Sequence, residues 1–538
     1  MQRREFVRNV LLGGASLFVV RNLEACMPGD SFAHIQGSIR GGNSKTSHLL
    51  REGKFPPASK FVDVECLIVG GGISGLSAAR KLVQAGITDI IVLDLEDHIG
   101  GNSHGGKNEV SAYPWGAHYL PLVNPGQEEL ISFLKEIGVI RSVAENGLPV
   151  YNEYYLCQDP EERLFLRGQW QEGIIPSFGL PDSHQAEVKR FLDTMQQLRY
   201  KMGKDGKEAF AIPAAESSQD AEFRELDKIS MKEYMMREKY ASPELMWYIN
   251  YCCRDDFGTP ADETSAWAGI HYFAGRKGVA ANAEMNSVLT WPEGNKFLAE
   301  KLAAEFSDKI QTGQLIFNVR LNADFVEAQS YDVQSASVVC YRAKKVVLAV
   351  PQFVARRILN NTSSGKEIMD AFHYAPWMVA NVTVKKPETR SGQIELCWDN
   401  VFYNSESLGY VNACHQHLSS HPGMVVLTYY LPLTKGSPFE ERTNALKQTH
   451  RSWVEVIVKD LEQAHPGIGK EITTIDVWLW GHAMIRPEKN FMFSQVRQEA
   501  GKPIEGKIFF AHSDLSGMSI FEEAFSQGIR AAKEILEA

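Results

Sequence analysis

A run of glycines between two apolar segments is the clearest chemical feature of the sequence. Gly70, Gly72 and Gly75 have the G-x-G-x-x-G spacing within residues 64–101, and Asp94 ends the second apolar run. In such a turn the first glycine allows the bend, the second lets backbone N–H groups approach a diphosphate, and the third lets a helix lie close on a sheet. A carboxylate at the position of Asp94 accepts hydrogen bonds from an adenosine ribose. This chemistry is dinucleotide binding, with FAD and NAD(P) both open.

Three local elements must position these groups. Residues 66–69 predict a strand, a helical spacing of apolar residues predicts a helix that begins at Ile73 and Ser74, and residues 90–93 predict a second strand. The helix start presents unpaired N–H groups and the positive end of its dipole to the diphosphate. A lone glycine motif is a weak signal, but here strand, helix and acid follow one another in the order that the motif requires.

Length and composition indicate a large globular protein. The chain has 538 residues, of which 44% are hydrophobic and 23% charged, so two domains or one interleaved pair are expected. The net charge of −10 argues against nucleic acid or an anionic membrane surface as the main partner. Eight cysteines form no C-x-x-C pair, and the group Cys414, His415 and His417 has no second half, so no metal site is expected.

The first 26 residues have the features of an export signal. Arg3 and Arg4 precede an apolar run that is too short to span a bilayer comfortably and fits a signal core. The pattern resembles a twin-arginine signal, which implies the twin-arginine export machinery as a partner and a periplasmic or otherwise exported protein. Residues 23–26 resemble a lipoprotein box, so a lipid anchor at Cys26 stays open, as does an N-terminal helix of a cytoplasmic protein. Residues 27–60 contain Gly, Ser and Pro clusters that predict a linker.

A second glycine pair follows Asp94. Gly100 and Gly101 precede Asn102, and this combination resembles the flavin-containing amine oxidase superfamily, which also includes protoporphyrinogen oxidase and carotenoid desaturases. The resemblance implies that Gly100, Gly101 and Asn102 turn the chain beside the pyrophosphate of FAD, and it favours FAD over NAD(P). Most of these oxidases have an arginine where Asn102 stands. Together with residues 116–118, Gly-Ala-His, the Gly-Gly-Asn sequence also resembles UDP-galactopyranose mutase, a flavoenzyme of related fold.

The end of the chain resembles the other half of an FAD site. A short strand is followed by Asp514, and Glu522 and Ala524 open the final helix. In the superfamily, the acid holds ribityl or pyrophosphate oxygens and the helix start faces the flavin O2 region. Residues 345–351 resemble the superfamily's strand with a closing proline, and the resemblance implies adenine contacts from the backbone around Arg320.

These motifs imply an α/β fold in which a Rossmann-like FAD-binding domain, similar to that of glutathione reductase, is interleaved with an α+β substrate-binding domain. The FAD-binding domain is expected to comprise residues 61–110, 285–355 and 476–538. The substrate-binding domain is expected to comprise residues 111–284 and 356–475.

The substrate half departs from the amine oxidases at two positions. In that family a lysine on the first strand of this half holds a water near flavin N5, whereas residues 376–382 contain no lysine. Amine oxidases often have an aromatic residue, one wall of an aromatic cage, at the position of Ile520. The sequence therefore supports the flavin framework and not the amine cage.

We expect an exported FAD-dependent oxidoreductase that removes a hydride from a C–N or C–C bond of a small molecule and passes electrons to oxygen or a quinone. His482 and Arg486 lie in a segment that resembles the family's W-x-x-A-x-P region near the flavin, and they are the candidate catalytic residues. His482 is assigned as acid/base because an imidazole titrates near neutrality, while a structural hydrogen bond or a surface charge is the alternative for either residue. Two other functions stay open: a redox-neutral flavin mutase acting on a nucleotide sugar, and a flavin-bound protein without turnover.

Overall fold

The computed structural model describes residues 32–359, 365–388, 394–417 and 423–538. The expected export signal, including Cys26, lies outside these ranges, so export and lipidation stay predictions. Within the described ranges, every helix is too short or too polar to cross a bilayer.

The strands of the described residues form two large sheets and three two-stranded pairs. In chain order they are β1 (Ile39–Gly41), β2 (Ala58–Val69), β3 (Ile90–Leu93), β4 (Gly105–Lys107), β5 (Ala112–Pro114), β6 (Tyr119–Pro121), β7 (Ile140–Val143), β8 (Pro149–Tyr151), β9 (Glu162–Leu166), β10 (Gln169–Glu172), β11 (Val288–Thr290), β12 (Ile310–Gln311), β13 (Gln314–Leu321), β14 (Val326–Asp332), β15 (Ser337–Leu348), β16 (Tyr374–Lys385), β17 (Asp399–Phe402), β18 (Gly409–Asn412), β19 (Met424–Pro432), β20 (Ile472–Ile485) and β21 (Ile508–Phe510).

The α-helices of the described residues lie against these sheets or between them. In chain order they are α1 (Ser44–Ser47), α2 (Leu49–Glu52), α3 (Ile73–Gln84), α4 (Glu128–Glu136), α5 (Asp182–Arg199), α6 (Ala221–Arg224), α7 (Met231–Arg237), α8 (Pro243–Phe257), α9 (Ala266–Ala274), α10 (Lys296–Ala303), α11 (Gln352–Ile358), α12 (Gly365–Ala371), α13 (Pro438–Lys447), α14 (His450–Leu461), α15 (Gln495–Ala500) and α16 (Phe521–Glu537).

The seven-stranded sheet, called here the nucleotide sheet, has the order β12-β3-β2-β15-β14-β13, with β21 also paired with β15. β2 runs parallel to β3 and β15, and β21 runs parallel to β15. Cys66 and Ile68 of β2 face one hydrophobic core, while Leu67 and Val69 face another. The apolar run predicted as a strand is continuous because both faces of this parallel sheet are covered.

The eight-stranded sheet, called here the substrate sheet, has the order β1-β20-β16-β19-β18-β17-β9-β10. Its strand β16 is almost wholly buried and pairs antiparallel with both β19 and β20. β20 runs through residue 476, where the sequence predicts the return to the FAD-binding domain. The chain therefore leaves the substrate sheet only after Ile485.

Part of the expected linker packs against the body of the protein. β1 pairs parallel with β20 at the edge of the substrate sheet. The backbone N–H of Asn43 donates to the Glu96 carboxylate at 2.8 Å, and Phe55 stacks on Phe317 of the nucleotide sheet with ring centroids 3.9 Å apart. Residues 32–57 thus form a strap that contacts both sheets. The Gly, Ser and Pro content predicts a linker and does not reveal this packing, because an edge strand of only three residues leaves no clear pattern in the sequence.

The two halves of the molecule share a hydrophobic core. Leu67 and Val346 of the nucleotide sheet belong to the same buried cluster as Tyr248, Trp267 and Tyr430 of the substrate half. The topology is the interleaved α/β arrangement that the sequence predicts, and it holds the two halves in one packed unit.

Candidate active site

The first glycine turn joins β2 to α3. Gly70 has a φ of +108°, and a Cβ at Gly75 would lie 1.9 Å from the Gly70 carbonyl oxygen, so neither position accepts a side chain. Gly72 is the N-cap of α3, and no side chain caps the helix. The first N–H groups of α3, which begins at Ile73 and Ser74, therefore stay available for an anionic group.

Asp94 lies beside this turn, at the carboxyl end of β3. Its Oδ2 accepts a hydrogen bond from the Gly71 N–H at 2.6 Å, and its Oδ1 accepts one from the Glu96 N–H at 2.8 Å. Burial raises the pKa of Asp94 to about 6. The carboxylate is held by backbone donors and keeps lone pairs for the hydroxyls of a ribose.

The second glycine turn packs directly on the first. Gly100 has a φ of +105° and Gly101 a φ of +58°, and the Gly100 N–H donates to the Gly71 carbonyl at 2.8 Å. A Cβ at Gly101 would lie 3.4 Å from the Gly72 Cα. Asn102 fixes the other end of the turn, since its Nδ2 donates to the Ala483 carbonyl of β20. Two backbone-only turns face each other, as close approach to a pyrophosphate requires.

The final helix α16 closes the same site from the other end of the chain. Ser74 Oγ donates to the Ala524 carbonyl at 2.8 Å, and a Cβ at Gly528 would lie 2.2 Å from the Ser74 carbonyl oxygen. Glu522 in the first turn of α16 is buried. Two helix starts and two glycine turns thus meet, and these donors fit the diphosphate and the flavin end of FAD.

Two predicted cofactor residues, Asp514 and Arg320, make contacts within the protein. The Asp514 carboxylate accepts hydrogen bonds from the Gln352 N–H at 2.9 Å and the Tyr374 hydroxyl at 2.6 Å, so it ties the nucleotide sheet to β16. Arg320 is exposed at the far end of β13 and pairs with Glu327 at 3.5 Å. The adenine contacts implied for the backbone around Arg320 stay a prediction.

A cavity of about 130 Å³ lies next to this cradle. It reaches Asn102 of the second glycine turn and Ile520 and Glu522 at the start of α16. Ring side chains wall much of it: His118, Tyr119, Trp377, Tyr430 and Trp480. The cavity is therefore placed where a flavin ring and a small organic substrate would meet.

Carboxylates give the cavity a negative character. Asp255, Asp256 and Glu522 line it, and Arg276 pairs with Asp256 at 2.8 Å. Burial and then the neighbouring Asp256 raise the pKa of Asp255 to about 7. Burial also raises the pKa of Glu522, although Arg276 acts in the opposite direction. At neutral pH the lining groups favour a cationic ligand over an anionic one.

His118 is the imidazole that faces this cavity. Burial lowers its pKa to about 4, so the ring is neutral at physiological pH. It stacks on Tyr430 with ring centroids 4.7 Å apart. A neutral imidazole at this place can accept a hydrogen bond or a proton from a substrate.

The candidate catalytic residues His482 and Arg486 do not line this cavity. Between the pairs Ala375↔Met484 and Trp377↔Trp480 the register of β16 and β20 shifts, so β20 bulges and turns His482 outward. His482 is exposed and packs on Phe353, with ring centroids 4.6 Å apart.

Arg486 serves a structural ion network instead. It is buried, pairs with Glu488 at 2.8 Å and also bonds Glu263. Neither His482 nor Arg486 lines the cavity among the described residues.

The residues that do line the cavity have only weak sequence signals. Asp255 and Asp256 form an acidic pair near the end of a helix that is otherwise rich in apolar and aromatic residues, which is the one local hint. Val379 of β16 lines the cavity, and none of the lining residues in the described part of the chain is a lysine. The aromatic residues Tyr248, Tyr251, Trp267 and Phe273 belong to the hydrophobic core and do not line the cavity.

The fold and the site together are those of a protein that binds a flavin dinucleotide. The family model of flavin containing amine oxidoreductases matches residues 73–536, and the chain belongs to this family. Its members use a flavin, and the cofactor of this chain is FAD.

Individual relatives are distant. The chain is 23% identical over 294 residues to an amine oxidase [flavin-containing] of Oncorhynchus mykiss, covering 53% of this chain and 50% of the relative. It is 25% identical over 320 residues to an L-amino acid dehydrogenase of Synechocystis sp., covering 58% of this chain and 62% of the relative. The chain thus spans about half to three fifths of the length of these two relatives.

Solved structures share the fold over nearly the whole chain. A putrescine oxidase bound to putrescine has a TM-score of 0.66 at 16% identity, covering 89% of this chain and 100% of that one. Cyclohexylamine oxidase from Brevibacterium oxydans has a TM-score of 0.62 at 14% identity, covering 88% of this chain and 99% of that one. The predicted pairing of a Rossmann-like FAD-binding domain with a substrate-binding domain is confirmed.

Proposed function

We propose that the protein is an FAD-dependent oxidoreductase that oxidises the C–N bond of a cationic amine. One observation carries this proposal: the ring-walled cavity beside the two glycine turns holds Asp255, Asp256 and Glu522 against one arginine. An ammonium group is attracted to such a site, and aromatic faces also stabilise cations. Residues 376–382 contain no lysine, so this strand adds no cation to the charge balance.

The same charges disfavour the other candidate reactions. A nucleotide sugar carries a diphosphate, and Arg276 of the cavity is already paired with Asp256 at 2.8 Å. An anionic mutase substrate would therefore meet repulsion. A polyene has no charged or hydrogen-bonding group that could pair with the carboxylates, and burying them without a partner costs free energy. Amine oxidation is the reaction class that uses the groups present.

The proposed reaction balances as a two-electron oxidation. FAD, when bound, supplies the hydride acceptor. The substrate carbon gives up a hydride and its nitrogen a proton, and water hydrolyses the resulting imine to an aldehyde and ammonia. Oxygen takes two electrons and two protons to form hydrogen peroxide, or a quinone takes them to form a quinol.

Residues of the chain prepare the substrate for this step. An amine nitrogen must lose its ammonium proton before the hydride leaves, and Asp255, with a pKa of about 7, is ionised in about half of the molecules at neutral pH. Asp255 and the neutral ring of His118 are the proton acceptors that the cavity offers. Trp377, Tyr430 and Trp480 exclude water and orient the carbon chain.

The test uses the purified flavin-loaded protein. We expect an absorption band near about 450 nm that an amine bleaches in the absence of air, and hydrogen peroxide release or dye reduction with amines in a screen that also contains amino acids and polyenes. Bleaching by polyenes alone would replace the proposal with C–C oxidation. If no compound changes the flavin spectrum, the result would support a flavin-binding protein without turnover.

We also propose export by the twin-arginine route, on the strength of Arg3, Arg4 and the apolar run that follows them. Replacing both arginines with lysine should keep the protein in the cytoplasm of a bacterial host, whereas Arg8→Lys should leave its transport unchanged. Fractionation of the two variants decides this point.

A further inference from the structure

A second cavity, of about 550 Å³, lies on the other face of the substrate sheet. Tyr410 and Tyr429 are direct partners in the pairing of β18 with β19, so their side chains share one face, whereas Tyr430, which lines the catalytic cavity, projects from the opposite face. The Tyr410 hydroxyl contacts Arg163 and His465, and both of these residues line the second cavity. We call it the back cavity. Its size is that of a small-molecule site.

A buried guanidinium forms part of the wall of the back cavity. Arg163 is 3% exposed. Among the described residues its hydrogen bonds go to neutral acceptors, namely Asn400 Oδ1 at 2.6 Å, the Ile394 carbonyl at 2.9 Å and the Tyr410 hydroxyl at 3.2 Å. No carboxylate in the described part of the chain forms an ion pair with it, and Glu172, its partner on β10, is exposed. A guanidinium keeps its charge when buried, and a buried charge without a counter-ion is costly.

The same guanidinium and a neighbouring imidazole have N–H groups to spare. Burial, followed by the charge of Arg163, lowers the pKa of His465 to about 3, so its ring is neutral at physiological pH. The Tyr410 hydroxyl accepts from Arg163 and lies 2.5 Å from His465 Nε2, the one acceptor that the described residues offer to its proton. The imidazole proton is therefore on Nδ1. A guanidinium has five N–H donors, so two of them and the Nδ1–H remain for a ligand.

The rest of the back cavity combines apolar walls with an excess of positive charge. Large apolar side chains line much of it: Phe165, Trp170, Leu396 and Ile468. Exposed charged side chains also line it: Lys385, Lys386, Lys470, Glu388 and Glu471. With Arg163, the described lining residues carry four positive charges against two negative ones, in a protein whose net charge is −10. Such a place attracts anions.

We propose that the back cavity binds an organic carboxylate with an apolar body. The carboxylate accepts hydrogen bonds from Arg163 and His465 and supplies the counter-charge that the guanidinium lacks. The apolar body is buried against Trp170 and Leu396. An inorganic anion would leave these apolar walls without a partner. The inference goes beyond the proposed amine oxidation, because Arg163, His465 and Trp170 do not line the catalytic cavity.

The first arm of the test compares three probes on the purified flavin-loaded protein. Octanoate has the charge and the apolar body, octanamide has no charge, and acetate has no apolar body. Calorimetry should show one site for octanoate and at least about tenfold weaker binding of octanamide and of acetate. Octanoate should also raise the temperature of thermal unfolding, because it binds the folded state.

The second arm locates the carboxylate with variants. Arg163→Gln should weaken octanoate binding at least about tenfold, and Arg163→Lys, which keeps the charge, should bind more tightly than Arg163→Gln. His465→Phe keeps a ring but removes the N–H, so binding should weaken by about threefold to tenfold. The exposed pair Lys385→Gln, Lys470→Gln should weaken it by at least about twofold. Lys189→Gln, an exposed lysine elsewhere, is the matched control and should change nothing.

Hydrogen exchange shows where octanoate lies without any substitution. Octanoate should slow amide exchange in residues 163–170 and 463–470. Circular dichroism and flavin content report whether each variant is folded, and if Arg163→Gln is not, the His465 and lysine variants decide.

The outcomes test the back cavity separately from turnover. Octanamide binding as tight as octanoate binding, or octanoate binding that survives both the Arg163 and the His465 substitutions, overturns the proposal. Loss of octanoate binding in Arg276→Gln alone would place the anion in the catalytic cavity and also overturn it. Octanoate binding that depends on Arg163 and His465 supports the back cavity even if no amine bleaches the flavin.

Discussion

At the scale of single residues, the site depends on which side chains reach the cavity and in which protonation state. His118 reaches it as a neutral ring, because burial holds its pKa at about 4. His482 is closer in sequence to the segment that resembles the family's flavin region, yet it faces outward on a bulge of β20. Sequence proximity to a motif did not decide which histidine reaches the cavity.

The two histidines give a direct prediction. We expect His482→Ala to keep kcat within about twofold of the wild type, since its ring contacts Phe353 and not the cavity. His118→Ala should lower kcat by about 10²-fold, the usual contribution of a positioned proton acceptor. Stopped-flow reduction of the flavin by an amine measures both. A His482→Ala variant with the larger loss would return the acid/base role to that residue.

At the scale of elements, the cofactor cradle depends on two turns whose backbones touch. Gly101 has a left-handed φ of +58°, and a Cβ at this position would lie 3.4 Å from the Gly72 Cα. Position 101 requires glycine because its φ is left-handed and because a side chain would take up space beside the group that the turn binds. Other positive-φ glycines, such as Gly147 with a φ of +80°, stand in open space.

Alanine at these two glycines separates strain from cofactor contact. Each substitution costs about 1–2 kcal/mol of strain from the left-handed conformation. Only Gly101→Ala also places a methyl group between the two turns, so we expect it to lower the flavin-to-protein absorbance ratio at least about tenfold after dialysis, while Gly147→Ala keeps a full complement. Comparable flavin loss in both variants would mean that the second turn does not contact the cofactor.

At the scale of the whole molecule, the sequence predicted the nucleotide half well and the cavity poorly. The glycine turns are local, so the spacing of Gly70, Gly72 and Gly75 alone places a strand, a turn and a helix. The carboxylates Glu162, Asp255 and Asp399, by contrast, come from three elements, and their proximity depends on the order of strands in the substrate sheet. The residue pattern of a single segment cannot predict that distant elements pack together. The bulge that turns His482 outward likewise depends on pairing with β16, which is far away in the chain.

Two carboxylates on neighbouring strands, Glu162 of β9 and Asp399 of β17, predict how stability depends on pH. Because the pKa values of Glu162 and Asp399 are raised in the folded protein, their protons are held more tightly there than in the unfolded chain. Their contribution is therefore fully present below the unfolded pKa of about 4 and is lost as pH rises through the folded values.

We expect the free energy of unfolding of the substrate-free protein to fall by about 1–3 kcal/mol between about pH 5 and about pH 8. The double variant Glu162→Gln, Asp399→Asn should lose the part of this slope that these two groups contribute, and Asp324→Asn should retain all of it. Urea denaturation across this pH range measures the slope. An unchanged slope in the double variant would show that the two carboxylates have a cation or a proton-independent partner.

The strap at the start of the described chain bears on how the protein is made. Ser38 N–H donates to Asp476 Oδ1 at 3.0 Å across 438 positions of sequence, and β1 completes its ladder only on β20. Since synthesis proceeds from the N-terminus, β1 leaves the ribosome long before its partner exists. The substrate sheet can acquire its last strand only once translation is almost finished, so the strap is laid across Glu96 after most strands of the nucleotide sheet have been made.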